Sequence, residues 1–132
     1  MSRYPLAIEF RTGSWLNDEH RQETLRFLRE QQLSLVCVDE PQGLASSVLP
    51  LAEVTVSPGL VRFHGRNKKN WESHNLTVRD KYEYLYTEEE LLEWVPKIRL
   101  MADLSSVVYV IFKNKHCDFA VRNARQMKIL LG

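Results

Sequence analysis

The fold class this sequence predicts is α/β with parallel strands, and two observations predict it. Runs rich in Val, Ile, Leu and aromatic residues alternate with segments of helical periodicity, in the order β-α-β-(loop)-β-α-β-α. At least two of the runs, residues 33–38 and 107–112, are nearly continuous in apolar side chains. That pattern suits strands covered on both faces of a parallel sheet, joined by right-handed crossovers.

The strands read as "LAIEF" at 6–10, "LSLVCV" at 33–38, "LVRFH" at 60–64 and "VVYVIF" at 107–112. Asn17 is placed to cap a first helix running to about Gln32, with Asp18 and Glu19 favourable in its first turn. Thr87 and Glu90 form a capping-box pattern, with Leu91, Val95, Ile98 and Ala102 following on one face. Pro96 falls inside that segment and is expected to kink it or start a second piece. The last helix spans about 118–131, with Ala120, Ala124, Met127 and Leu131 on one side. Between the second and third strands lies a connection with three prolines and two glycines, where residues 54–56 are a candidate short extra strand. A second long connection, 67–86, is polar and aromatic; connections of this length in a compact domain are often functional.

Composition bounds the function. A chain of 132 residues is read as a single domain, 1–132, with a modest core. A net charge of +1 argues against a general nucleic-acid or membrane-surface binder, although local basic patches stay open. No run approaches the roughly 18 apolar residues of a spanning helix, and residues 1–6 lack a signal-peptide core. Cys37 and Cys117 have no metal-ligand spacing, and Cys37 sits in an apolar run as a buried thiol would. A cytoplasmic, reducing setting is the expectation.

The C-terminal ends of the strands carry the functional signal. The first run supplies Glu9, Phe10 and Arg11, the second Asp39 followed by Glu40 and Gln42, the third His64, Arg66 and Asn67, and the fourth Lys113, Asn114 and His116. In parallel α/β folds these ends form one rim, where ligands bind. Arg11 and Arg66 suit a carboxylate or phosphate, since a planar guanidinium engages either through two hydrogen bonds. Glu9, Asp39 and His64 suit acid–base catalysis, or weakly a divalent metal as an O/O/N set. No HxH, HExxH, P-loop or GxGxxG spacing occurs. Each residue also has a structural reading: Glu9 and Arg11 lie two apart on one face of a strand and could pair, and His64 could be a core histidine. Asp39 could cap the turn before Pro41, Lys68 and Lys69 suit a solvated loop, and Trp15 and Trp71 could simply pack.

Five stretches in order, "AIEFRTGSW" (7–15), "VDEPQG" (38–43), "VRFHGRN" (61–67) with Trp71, "YEYLYTEEELLEW" (82–94) and "VYVIFKNKHCDFAVRNARQMKILLG" (108–132), resemble the second half of YecE-like proteins. These form a widespread family of domains of unknown function. The resemblance implies a TIM-barrel-like fold of about twice this length, so that this chain would be a parallel-stranded half-barrel of about four β-α units. Glu9, Arg11, Asp39, His64, Arg66, Asn67, Tyr84 and Asn114 match positions typical of the family. A phosphate or nucleic-acid ligand is what has been suggested for such barrels, and Trp71 would suit it. Where the family usually has Phe-Asn-Asn and then a glycine pair, Lys113 and Cys117-Asp118 stand here.

Four strands cannot close a barrel, so both outer strands would expose unpaired backbone. A homodimer, a second chain supplying the missing half, or a remnant copy are the three outcomes. Three functions follow. The first is an enzyme, or enzyme half, acting on a phosphorylated or other anionic substrate; the second is a module gripping single-stranded nucleic acid or a partner chain through Trp71, Arg66, Lys68 and Lys69. The third is an inactive truncated copy.

Overall fold

The structure, a computed structural model, describes residues 4–72 and 81–132. The sheet has four strands in sequential order, all parallel: β1 (Leu6–Ile8), β2 (Leu33–Asp39), β3 (Gly59–Phe63) and β4 (Val108–Phe112). The helices are α1 (Arg21–Glu30), the single turn α2 (Lys68–Trp71), α3 (Glu88–Leu104) and α4 (Phe119–Leu131). The expected α/β class and strand order are what the structure contains.

Register decides which side chains share a face. Val38, Arg62 and Ile111 lie side by side, as do Asp39, Phe63 and Phe112 one residue later. Paired residues of a parallel sheet point the same way, and successive residues point oppositely. One face is covered by helices. There Phe63 stacks on Phe112 at 4.5 Å and meets Tyr86 and the α3 residue Trp94 edge-on, at 5.3 and 5.4 Å between centroids. The other face is open: Tyr109 and Ile111 remain 53% and 42% exposed.

The connection from β2 to β3 contains no helix, yet it stands in the helical layer. Lys97 of α3 donates to the Pro50 carbonyl at 2.9 Å, and Arg29 of α1 reaches Glu53 at 3.9 Å. The Cys37 thiol, its pKa pushed up to about 11 by burial, donates to the Glu53 carbonyl. Residues 54–56 are not a strand. Instead the Thr55 hydroxyl accepts from Leu35 N–H at 3.0 Å and donates to the Leu33 carbonyl at 2.6 Å. A side chain thereby satisfies backbone groups of β2 that a strand would otherwise pair.

Four further expectations change. Asn17 does not start α1 directly: its side chain accepts from His20 N–H, its carbonyl from Arg21 N–H, and the helix follows this turn. The capping box at Thr87 and Glu90 is present, but α3 runs through Pro96 without a break. Pro96 and Leu92, four residues back, are both exposed, so the carbonyl that loses its donor can turn to water. The buried stripe of α3 is Leu91, Trp94, Val95, Ile98 and Met101, with Ala102 turned out. In α4, Asn123 and Met127 are the buried residues and Ala124 is exposed, because Asn123 has backbone to bind, as described next.

Candidate functional site

The strand ends deliver two polar clusters, one on each face of the sheet. On the helix-covered face Asp39 is almost fully buried and accepts four hydrogen bonds. Arg66 gives two, Nε to Oδ1 at 3.0 Å and Nη2 to Oδ2 at 2.8 Å. The Tyr86 hydroxyl gives one to Oδ1 and the Trp94 indole N–H one to Oδ2, both at 2.7 Å. Four donors fill the acceptor sites of a carboxylate. Arg66 is equally occupied, since its remaining donors reach Glu90 and Glu93 at 3.2 to 3.4 Å. The bond to Asp39 is the main reason its guanidinium is held above the ordinary arginine range. Tyr86 is raised too, by burial first and by Asp39 second, and its hydroxyl oxygen accepts from Gly65 N–H at 2.7 Å. Gly65 has φ +95°, and a Cβ there would stand 2.8 Å from the Tyr84 Cβ, so both backbone and space require glycine.

Other selected residues join this scaffold. The Tyr84 hydroxyl donates to Glu90 at 2.7 Å and, from burial and then that carboxylate, is pushed up to about 12. Asn114 Nδ2 donates to the Tyr84 carbonyl and to Asn123 Oδ1, each at 2.8 Å. Asn123 in turn holds both backbone groups of Tyr86. Asn67 caps α2 through Asn70 N–H and donates to the Glu83 carbonyl. Together these bonds fix the 84–86 segment against the sheet.

The open face is different. Glu9, beyond the end of β1, accepts from Arg62 Nη1 at 2.8 Å and sits 3.1 Å from His64 Nε2. Burial raises the Glu9 carboxyl, but the bond and charge of His64 and then Arg62 outweigh it and leave it below the usual carboxylate range. His64 is buried, and its Nδ1 has no hydrogen-bond partner among the described residues. These groups line a cleft of about 450 Å³ whose other walls include Arg11, Glu40, Trp71, Tyr82 and Lys113. Trp71 meets Tyr82 edge-on at 5.7 Å, and the Lys113 ammonium lies over the Tyr82 ring at 4.8 Å.

The structure therefore brings Glu9, Arg11, His64 and Trp71 together and places Asp39, Arg66, Asn67, Tyr84 and Asn114 in the opposite cluster. The expected O/O/N set of Glu9, Asp39 and His64 does not converge, because Asp39 faces the helices. No three of His, Cys, Asp and Glu gather as a metal-binding group among the described residues. The expected pairing of Glu9 with Arg11 is replaced by the Arg62 pair. Trp15 is not part of the cleft wall; it stacks at 5.6 Å on Phe10, which is. Sequence reading placed Glu40 and Lys113 at the rim without giving either a role, and it left Arg62 out. The alternation Leu60, Arg62, His64 against Val61, Phe63 does mark Arg62 as a companion of His64.

Residues 1–132 match the family described as "Protein of unknown function DUF72". The chain belongs to the DUF72 family. The UPF0759 protein YunF of Bacillus subtilis (strain 168) is 35% identical over 136 residues, covering 99% of this chain and 48% of that protein. A DUF72 structure from Enterococcus faecalis V583 superposes with a TM-score of 0.88 at 34% identity, over 98% of this chain and 48% of that one. A second, from Thermotoga maritima MSB8, gives 0.85 at 35% identity, over 98% and 46%. The chain thus spans about half the length of the DUF72 relatives it matches, and it shares their α/β, TIM-barrel-like architecture over that half. No helix among the described residues is long and apolar enough to cross a membrane.

Proposed function

We propose that the open-face cleft binds a phosphorylated or otherwise anionic substrate and performs acid–base chemistry on it, with Glu9 and His64 as the proton-handling pair. The observation that carries this reading is a pair of cations without carboxylate partners. Arg11 and Lys113 both line the cleft, and neither has a hydrogen bond or ion pair to a carboxylate among the described residues. Burial, then the charges of Arg62 and Arg11, hold the Lys113 ammonium below the ordinary lysine range despite Glu9 nearby. An arriving anion relieves that repulsion, and Arg11 offers it a planar double contact. His64 supports the catalytic half: Glu9 holds its Nε2 at 3.1 Å, in the cleft wall, while the buried Nδ1 has no partner among the described residues. Arg66, the other expected clamp, has no free edge to offer a ligand. That also weakens the nucleic-acid reading, in which Arg66 stood beside Trp71, Lys68 and Lys69.

Calorimetric titration of the protein with inorganic phosphate tests the reading. Arg11→Ala and Lys113→Ala should each weaken binding about five- to tenfold, at roughly 1 kcal/mol per lost charged contact. The double variant binding phosphate as tightly as the parent would overturn it. A salt-steep affinity for single-stranded DNA, unaffected by both substitutions, would favour the nucleic-acid module instead.

We also infer that the chain corresponds to the second half of the family's barrel and pairs with a further four-stranded half. Its motifs run in the order of that second half, β1 and β4 are the outer strands, and the open face leaves Tyr109 and Ile111 in solvent. A second copy fits by symmetry. About a two-fold along the barrel axis, each β4 meets the partner's β1 in parallel, and both junctions are the same. Sedimentation at twice the mass of the 15.5 kDa chain is expected. A sharp monomer boundary with cooperative unfolding would rule the association out.

A further inference from the structure

Glu40 is a buried cleft carboxyl that the preceding reading leaves without a task. It follows Asp39 in the chain and so points to the open face, where it lines the cleft while only 5% exposed. The cations around it are committed elsewhere or stand apart. Arg62, in β3, binds Glu9, as does the His64 ring just past the strand, and Arg66 binds Asp39. Arg11, beyond β1, and Lys113, beyond β4, make no ion pair with it among the described residues. Glu72, at the end of α2, adds a further carboxyl to the cleft wall and accepts from the Ser46 hydroxyl. Among the described residues the Val48 backbone favours the ionised form of Glu40, and no side chain does so through a hydrogen bond or ion pair.

Its position is nonetheless fixed. The Gln42 side-chain amide donates to the Glu40 carbonyl at 3.1 Å and to the Val48 carbonyl at 2.8 Å, tying the residue to the loop that faces it. A buried carboxyl with no cation, held among the carboxyls of Glu9 and Asp39, is stabilised by keeping its proton. Burial first, then those two charges, push it up to about 7. Glu9 is moved the other way. Two carboxyls of one cleft driven apart in this manner give one proton donor and one acceptor.

We propose that Glu40 is the proton donor of the cleft, presenting a carboxylic O–H to an oxyanion that Arg11 and Lys113 draw in. The step balances simply: the Glu40 O–H bond breaks as an O–H bond forms on the ligand oxygen, and water reprotonates the carboxylate that remains. This rests on the cleft being an anion site, so the test separates the two claims.

Inorganic sulfate is the probe, because it stays fully ionised across the range. Its affinity for the 132-residue protein should fall about tenfold between pH 6 and pH 8, as Glu40 becomes a like charge. In Glu40→Gln, which keeps the neutral shape, most of that fall should vanish and binding at pH 8 should tighten. Carboxyl carbon NMR of the parent should show one glutamate titrating near neutrality, absent in the variant. Sulfate binding with the same pH profile in both proteins, or a Glu40 resonance titrating in the ordinary carboxylate range, would overturn the role of Glu40 and leave the cleft reading standing. Absence of sulfate binding from parent and variant alike would overturn both.

Discussion

Asp39 and Glu40 are adjacent carboxyls, both almost wholly buried, in opposite electrostatic surroundings. Asp39 faces the helices and holds four donors, among them a two-pronged arginine. Glu40 faces the cleft with one backbone N–H. A buried charge that is fully paired organises a scaffold, whereas one without a cation keeps its proton and stays chemically available. The same division runs through the arginines: Arg66 is fully engaged, and Arg11 is open. The sheet end thus separates fully paired polar groups from those without a countercharge among the described residues, by the two-residue period of a strand.

The largest expected effect breaks the structural side. Asp39→Ala leaves Arg66, Tyr86 and Trp94 with unpaired donors and should cost about 3–5 kcal/mol in urea unfolding. A loss near zero would mean the network carries no stability. Tyr86→Phe removes the hydroxyl that links Asp39 to Gly65 N–H, and should cost about 1–3 kcal/mol by the same measurement.

Glu40 should behave with the opposite sign. Its folded pKa, about 7, lies above the unfolded carboxylate value, so the folded state binds the extra proton in between. Stability should therefore decline as pH rises from about 4.5 to about 7, and Glu40→Gln should remove the decline, stabilising the protein by about 2 kcal/mol at pH 8. Thermal melts of parent and variant at pH 4.5 and pH 8 check this, and a pH-independent difference would contradict it. Glu9, held below the usual range, contributes stability above its unfolded value that is lost only as pH falls further. Smallest of all, Arg11→Ala should change stability by no more than about 0.5 kcal/mol, because the side chain is exposed and has no ion pair among the described residues. A large loss in a thermal melt would place Arg11 in the scaffold instead.

The sequence made the fold class and the rim readable, because apolar runs and the polar residues that end them are local signals. Which face each rim residue takes was readable in only one strand. In β3 the alternation Arg62, Phe63, His64 marks the faces, whereas β2 reads Leu-Val-Cys-Val before Asp39 and Glu40, apolar on both sides, so nothing local distinguishes the two carboxyls. Asn114 was marked at the rim, but its bond to backbone, like that of Asn123, was out of reach, since the partner segment lies 30 and 37 residues away in sequence.

Thr55 has one more consequence. The amide of Leu35 closes onto a side-chain hydroxyl belonging to an otherwise irregular connection, so its exchange with solvent deuterium reports on that connection as much as on β2. Protection at Leu35 matching that of Val38 would mean that the loop opens only when the whole sheet does. Thr55→Val should accelerate exchange at Leu35 selectively, turning one backbone amide into a reporter for detachment of the segment that also positions Glu40.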